Sequence, residues 1–117
     1  MKLEDFVVYN LAMDLGDVVY NLVIAWSIFD KDTIGKQLVR STDSIAANLS
    51  EGMGRYHYKD RKNFCYYSRG SLFETKTWLQ KAKNRNLIDE VTFVKIMEDV
   101  VLIGVKLNNY IKTIGPH

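Results

Sequence analysis

Apolar residues recur at steps of three and four along nearly the whole chain, and no stretch shows the period of two expected of a half-buried strand. The pattern predicts four helices. The first spans about residues 4 to 28, with Phe6, Val7, Leu11, Val18, Leu22 and Ala25 on one face. It ends near Phe29-Asp30-Lys31-Asp32, where Asp32 is placed to cap the second helix. That helix runs to Gly52 or Gly54, two glycines suited to a C-terminal stop. Tyr56-His57-Tyr58 connects it to a third helix over about 59 to 85, closed by Asn84-Arg85-Asn86. Asp89 caps a fourth, which continues to about Ile114 ahead of Gly115-Pro116. The lone proline interrupts none of them. Four long helices with short joints predict one all-α domain over residues 1–117, an antiparallel up-down-up-down four-helix bundle.

The second helix carries two stripes. Ile34, Leu38, Ile45, Leu49 and Met53 form an apolar one, and Gln37, Ser41, Ser44, Asn48, Glu51 and Arg55 form a polar one beside it. Polar groups next to a packing face require partners. Glu51 and Arg55 stand four apart in the favourable order for an ion pair, and Ser44 and Asn48 are placed to hydrogen-bond across a helix interface. The seam Ser44, Asn48, Glu51, Arg55 is therefore expected to fix which helices pair, the other reading being the lining of a shared pocket.

Helices one and four hold more apolar surface than one core stripe needs. Phe93, Val94, Ile96, Met97, Val100, Val101, Leu102, Ile103 and Val105 cover over half of the fourth helix. Val8, Tyr9, Val19, Tyr20, Val23 and Ile24 widen the first in the same way. Contiguous apolar surface of this kind marks an interface, and self-association into a homo-oligomer is the expected use.

Charge changes the picture more than composition does. The chain is +2 overall, but residues 55 to 86 hold nine Lys/Arg against two acids, a local +7 that leaves −5 elsewhere. The third helix concentrates it: Lys59, Lys62, Tyr66, Arg69, Phe73, Lys76, Gln80 and Lys83 follow steps of three or four along one ridge. Cations interleaved with aromatic rings suit a nucleic-acid strand, the charges meeting phosphates and the rings stacking on bases. The competing reading is a solvated Lys-rich face whose rings pack on a neighbouring subunit. The opposite ridge (Phe64, Ser68, Ser71, Leu72, Thr75, Trp78, Ala82) is expected to face inward, with small residues that allow close helix approach.

Nothing points to catalysis, a cofactor or a metal. A metal-bearing bundle needs Glu-x-x-His on facing helices, yet the residue three beyond Glu51 is Gly54. His57 and His117 have no zinc spacing. His57 is expected to be solvated or capping. Cys65, the single cysteine, lies beside the core ridge, which predicts an inert buried thiol and a reducing, cytoplasmic setting. Asp14/Asp17 and Glu98/Asp99 are expected on solvated faces. No segment is long and apolar enough to span a bilayer, and the opening Lys2, Glu4 and Asp5 do not resemble a signal peptide.

The run from Arg40 to Arg55, with Ser44-Ile45, Asn48-Leu49, Glu51-Gly52 and Gly54-Arg55, followed by Phe64 and Gly70-Ser71-Leu72-x-Glu74, resembles a family of bacterial four-helix-bundle proteins. Its members are often encoded in intervening sequences of large-subunit ribosomal RNA genes, and the accessory variability proteins of diversity-generating retroelements are similar. The resemblance implies a homopentameric barrel of bundles, with nucleic-acid binding proposed for some relatives. Thr42-Asp43 and Tyr56-His57-Tyr58 depart from the usual pattern. The expectation is thus a non-catalytic homo-oligomer that binds RNA or DNA through the third helix. A scaffold that docks an acidic protein such as a polymerase is the alternative.

Overall fold

The structure, a computed structural model, describes residues 1–115; the expected final stop at Pro116, and His117, lie outside the described residues. Four long helices dominate: α1 (Val7–Val23), α2 (Lys36–Met53), α3 (Tyr58–Asn84) and α4 (Glu90–Ile111). No strand occurs among the described residues. A 3-10 turn, Leu3–Asp5, precedes α1. Helices α1 and α3 each pack against both α2 and α4, so sequence neighbours are spatial neighbours and the bundle is 49 Å long and 23 × 22 Å across.

The core face of α1 is only partly the expected one: Phe6 is buried and Leu11 and Leu22 pack half-buried against the core. Val8, Ala12, Leu15, Gly16, Val19 and Val23 are buried, recurring about once per helical turn, while Val7 and Val18 are exposed and Ala25 lies beyond the helix. A polar stripe of Asn10, Asp14, Asp17 and Asn21 runs along the opposite, exposed side, so the core face lies where the helical period puts it. Gly16 makes room on this face for a side chain of α2, since a Cβ there would lie 2.7 Å from Asp43 Oδ1.

The first joint also differs. Helix α1 stops at Val23, and helical structure resumes at Ile28–Asp30, capped by Ser27, whose Oγ accepts from Asp30 N at 3.3 Å. Asp32 therefore sits one turn inside rather than at the cap. Residues Lys31–Gly35 form a π-turn that leads directly into α2. Gly54 ends α2 in a right-handed conformation (φ −77°), so neither glycine supplies a left-handed stop. Gly52 serves packing instead: a Cβ there would lie 2.9 Å from Phe64 Cβ and 3.3 Å from the Arg61 carbonyl.

The other ends form as the sequence predicts. Asn86 turns left-handed (φ 59°), with Asn86 N donating to Lys83 O at 3.0 Å and Leu87 N to Ala82 O at 2.9 Å, the paired bonds of a Schellman stop. Asp89 caps α4 by accepting from Thr92 N at 2.7 Å, which holds its carboxyl below the ordinary range. The helix closes at Ile111, slightly short of Ile114. The stripe of Ile34, Leu38, Ile45 and Leu49 is buried as expected, with Met53 partly so.

Candidate nucleic-acid interface

The third helix is one unbroken rod of 27 residues, which at 1.5 Å per residue is roughly 40 Å long. Asp60 in its first turn and Lys81 and Lys83 in its last oppose the helix dipole favourably. Its inward ridge is as expected: Ser68, Leu72, Thr75 and Ala82 are buried and Phe64, Ser71 and Trp78 partly buried. The cationic ridge runs along the other side and leans toward α4. Arg69 donates to Asn108 Oδ1 at 3.1 Å, and Lys83 pairs with Glu90 at 2.7 Å while covering the Phe93 ring at 4.6 Å.

Along this ridge each ring carries a cation from the same ridge. Arg69 sits 5.0 Å over the Tyr66 ring, and Lys76 sits 4.7 Å over Phe73. Both rings are exposed, Phe73 at 58%. Lys59 and Lys62 have no ion-pair partner among the described residues, and Lys83 is the only ridge cation in an ion pair there. Gln80 bonds Asn84 at 2.9 Å on its own helix. The structure thus brings Lys59, Lys62, Tyr66, Arg69, Phe73 and Lys76 onto one accessible surface and commits Lys83 to α4.

On α2, the polar seam does not reach across to another helix where expected. Ser44 Oγ donates to Arg40 O at 2.8 Å and Asn48 Nδ2 to Ser44 O at 2.9 Å, both within the helix. Glu51 and Arg55 do pair, at 2.8 Å, in an exposed position, and Arg55 lies 4.8 Å over the Phe64 ring. The cross-helix bonds belong to other hydroxyls. Ser68 Oγ donates to the Ile45 carbonyl at 2.8 Å, and Thr75 Oγ1 and Ser41 Oγ are 3.0 Å apart, all buried. Their small size on the inward face of α3 was the available signal, since a short polar side chain at a close helix contact must bond to whatever faces it. No buried side-chain polar atom among the described residues lacks a partner.

Cys65 is buried and its thiol is pushed up to about 11 by desolvation. His57 is exposed, makes no capping bond and meets only the edge of Tyr56, 5.1 Å away. Asp14, Asp17, Glu98 and Asp99 are exposed. Among the described residues no group of His, Cys, Asp and Glu is arranged to hold a metal, and no helix is long and apolar enough to cross a membrane.

The outward side of α4 adds an apolar stripe to this face. Val94, Val101 and Val105 are exposed, and Val105 lies one turn from the Asn108 that Arg69 touches.

The fold is similar to the crystal structure of a protein of unknown function from the S23 ribosomal protein family of Bacteroides thetaiotaomicron, with a TM-score of 0.81 and 24% identity over 91% of this chain and 99% of that one. At that identity the likeness is one of fold. No curated protein matches the sequence. The model of the family described as 23S rRNA-intervening sequence protein matches residues 4–109, a span that contains all four helices but the last two residues of α4. The chain belongs to the 23S rRNA-intervening sequence protein family.

Proposed function

We propose that this protein is a non-catalytic, homo-oligomeric binding module that takes RNA or DNA, with little sequence preference, along the α3 ridge. The observation that carries the reading is the single accessible row of Lys59, Lys62, Tyr66, Arg69, Phe73 and Lys76 on one continuous helix. Each paired ring and cation offers a base a face to stack on and its phosphate a charge to meet, without selecting among bases. Membership in a family named for ribosomal RNA intervening sequences supports RNA as the first ligand to test.

The exposed valines of α4 support self-association, and the pentameric barrel implied by the family resemblance would repeat the ridge around a ring. Summing several such surfaces raises avidity without new contacts. Light scattering coupled to size exclusion tests assembly directly, and a monomer at micromolar concentration overturns that half of the reading.

For the ridge, four phosphate contacts by Lys59, Lys62, Arg69 and Lys76 give an expected logarithmic salt slope of about −2.8 per subunit on single strands, from ~0.7 per contact. Replacing all four by Glu is expected to abolish binding to mixed-sequence oligonucleotides; unchanged binding would refute the assignment. Docking of an acidic protein is the second reading, favoured by the same charge. A pull-down from nuclease-treated lysate separates them, since a partner protein retained after treatment supports the scaffold.

A further inference from the structure

The π-turn at the start of the second helix changes which side chains share a face. In an unbroken α-helix, Lys31 and Lys36 would be separated by about 140° around the axis. Here Lys36 N donates to the Lys31 carbonyl, the five-residue bond of a π-turn, which narrows that angle, and both lysines line one groove with Arg40, one α-turn later. Gly35 makes the turn possible against α1, because a Cβ would lie 2.7 Å from Val23 Cγ1 and 3.0 Å from the Asp30 carbonyl. The three cations line a shallow groove of about 350 Å³ together with Tyr20, Ile24 and Val39.

The groove has an apolar floor and an unneutralised rim. None of Lys31, Lys36 and Arg40 is in an ion pair among the described residues. Of the nearby acids, Asp30 holds the Ser27 hydroxyl at 2.8 Å, and Asp32 is exposed and outside the lining. Asp17 and Asp43 lie one turn beyond Tyr20 and Arg40, close enough that Asp17 adds to the burial that raises the Asp43 carboxyl. Negative charge therefore lies beyond one end of the groove, and the chain reversal over residues 24–27 lies toward the other. A continuous strand would have to pass those carboxylates, whereas a chain end would not.

We propose that this groove binds the terminal phosphate of a nucleotide chain, with Lys31, Lys36 and Arg40 meeting the phosphate and Tyr20 and Ile24 the adjoining nucleoside. A terminal phosphate carries about −1.5 to −2 charge at neutral pH against −1 for an internal one, which suits three converging cations. The groove sits on the α1/α2 side of the bundle, away from the α3/α4 face, and the inference does not depend on the α3 reading.

Trp26 reports on the site, since its ring edge approaches the Gly35 position within 3.4 Å. With Trp78→Phe in the full chain, Trp26 is the only tryptophan. Titration with a thymidine dinucleotide bearing a 5′-phosphate is expected to give a saturable change in its emission. The Lys36→Glu/Arg40→Glu variant, checked for helicity by circular dichroism, is expected to bind about tenfold more weakly or worse, as befits two lost charge-assisted contacts. Reversal of Lys62, Arg69 and Lys76 on α3 is expected to leave this response unchanged. No saturable change, an equal response from the unphosphorylated dinucleotide or from Lys36→Glu/Arg40→Glu, or equal affinity for inorganic phosphate would each overturn the proposal.

Discussion

The α2–α3 and α1–α4 pairs show two ways of joining helices in one small bundle. Helices α2 and α3 make the most intimate contact in the molecule, and its centre is polar: Ser41, Ser68 and Thr75 are buried and hydrogen-bonded across or along it. Helices α1 and α4 meet through larger aliphatic residues and leave a cleft of about 180 Å³ lined by Leu11, Leu15, Val18, Leu102 and Ile103, with Asp14 and Asp99 at its edge. The sealed seam is thus the polar one, and the open seam is apolar. Short hydroxyl side chains allow backbones to approach and bond to what they meet, whereas branched aliphatics hold helices apart and spread over the outer surface.

The strongest test of that contrast is overpacking. Ser68→Leu forces four carbons into a fully buried site against the Ile45 carbonyl and is expected to cost about 3 kcal/mol in chemical denaturation. The reverse exchange on the other seam, Leu102→Ser at a 44% exposed position, is expected to cost less than about 1 kcal/mol. Equal costs would remove the distinction. A finer cut comes from Thr75→Val, which keeps the shape and deletes the hydroxyl facing Ser41. It is expected to lose about 1 kcal/mol, and the double variant with Ser41→Ala should lose less than the sum of the two.

On the outer surface, Val94→Ser, Val101→Ser and Val105→Ser are each expected to change subunit stability by no more than about 0.5 kcal/mol. Combined, they are expected to lower the assembly mass seen by light scattering if that stripe is where copies meet. The smallest effect belongs to Asp43, whose carboxyl is raised from 3.8 first by burial and then by Asp17. Stability from its protonated form is complete below pH 3.8 and is lost as pH rises through the raised value, so the charged form is the disfavoured one at neutral pH. Asp43→Asn is expected to raise the melting temperature slightly at neutral pH and to confer no advantage below pH 3.8.

Much of this was legible along the chain where one signal was unopposed. Asp89 and Asn86 mark their helix ends by chemistry that works locally, a side-chain acceptor for free amides and a residue tolerant of left-handed φ. The α3 ridge was legible because its cations recur at helical spacing along one continuous segment. On helix α1 apolar residues flank the core stripe on both sides, and the face is marked by what lies opposite it, the polar row Asn10, Asp14, Asp17 and Asn21. Ser44 and Asn48 looked ready to bridge helices, yet each finds a carbonyl one turn back on α2, a closer acceptor than anything on a neighbour.

The sequence by itself determined four helices, their order, the cationic row on α3 and the family motif between Ser44 and Arg55, because these depend on spacing within single segments. Only the tertiary structure decided which hydroxyls bind across α2 and α3, and that Lys31 joins Lys36 and Arg40. Those outcomes depend on how closely two backbones approach and on one five-residue turn that shifts the helical phase, and no count of residues along a chain encodes either.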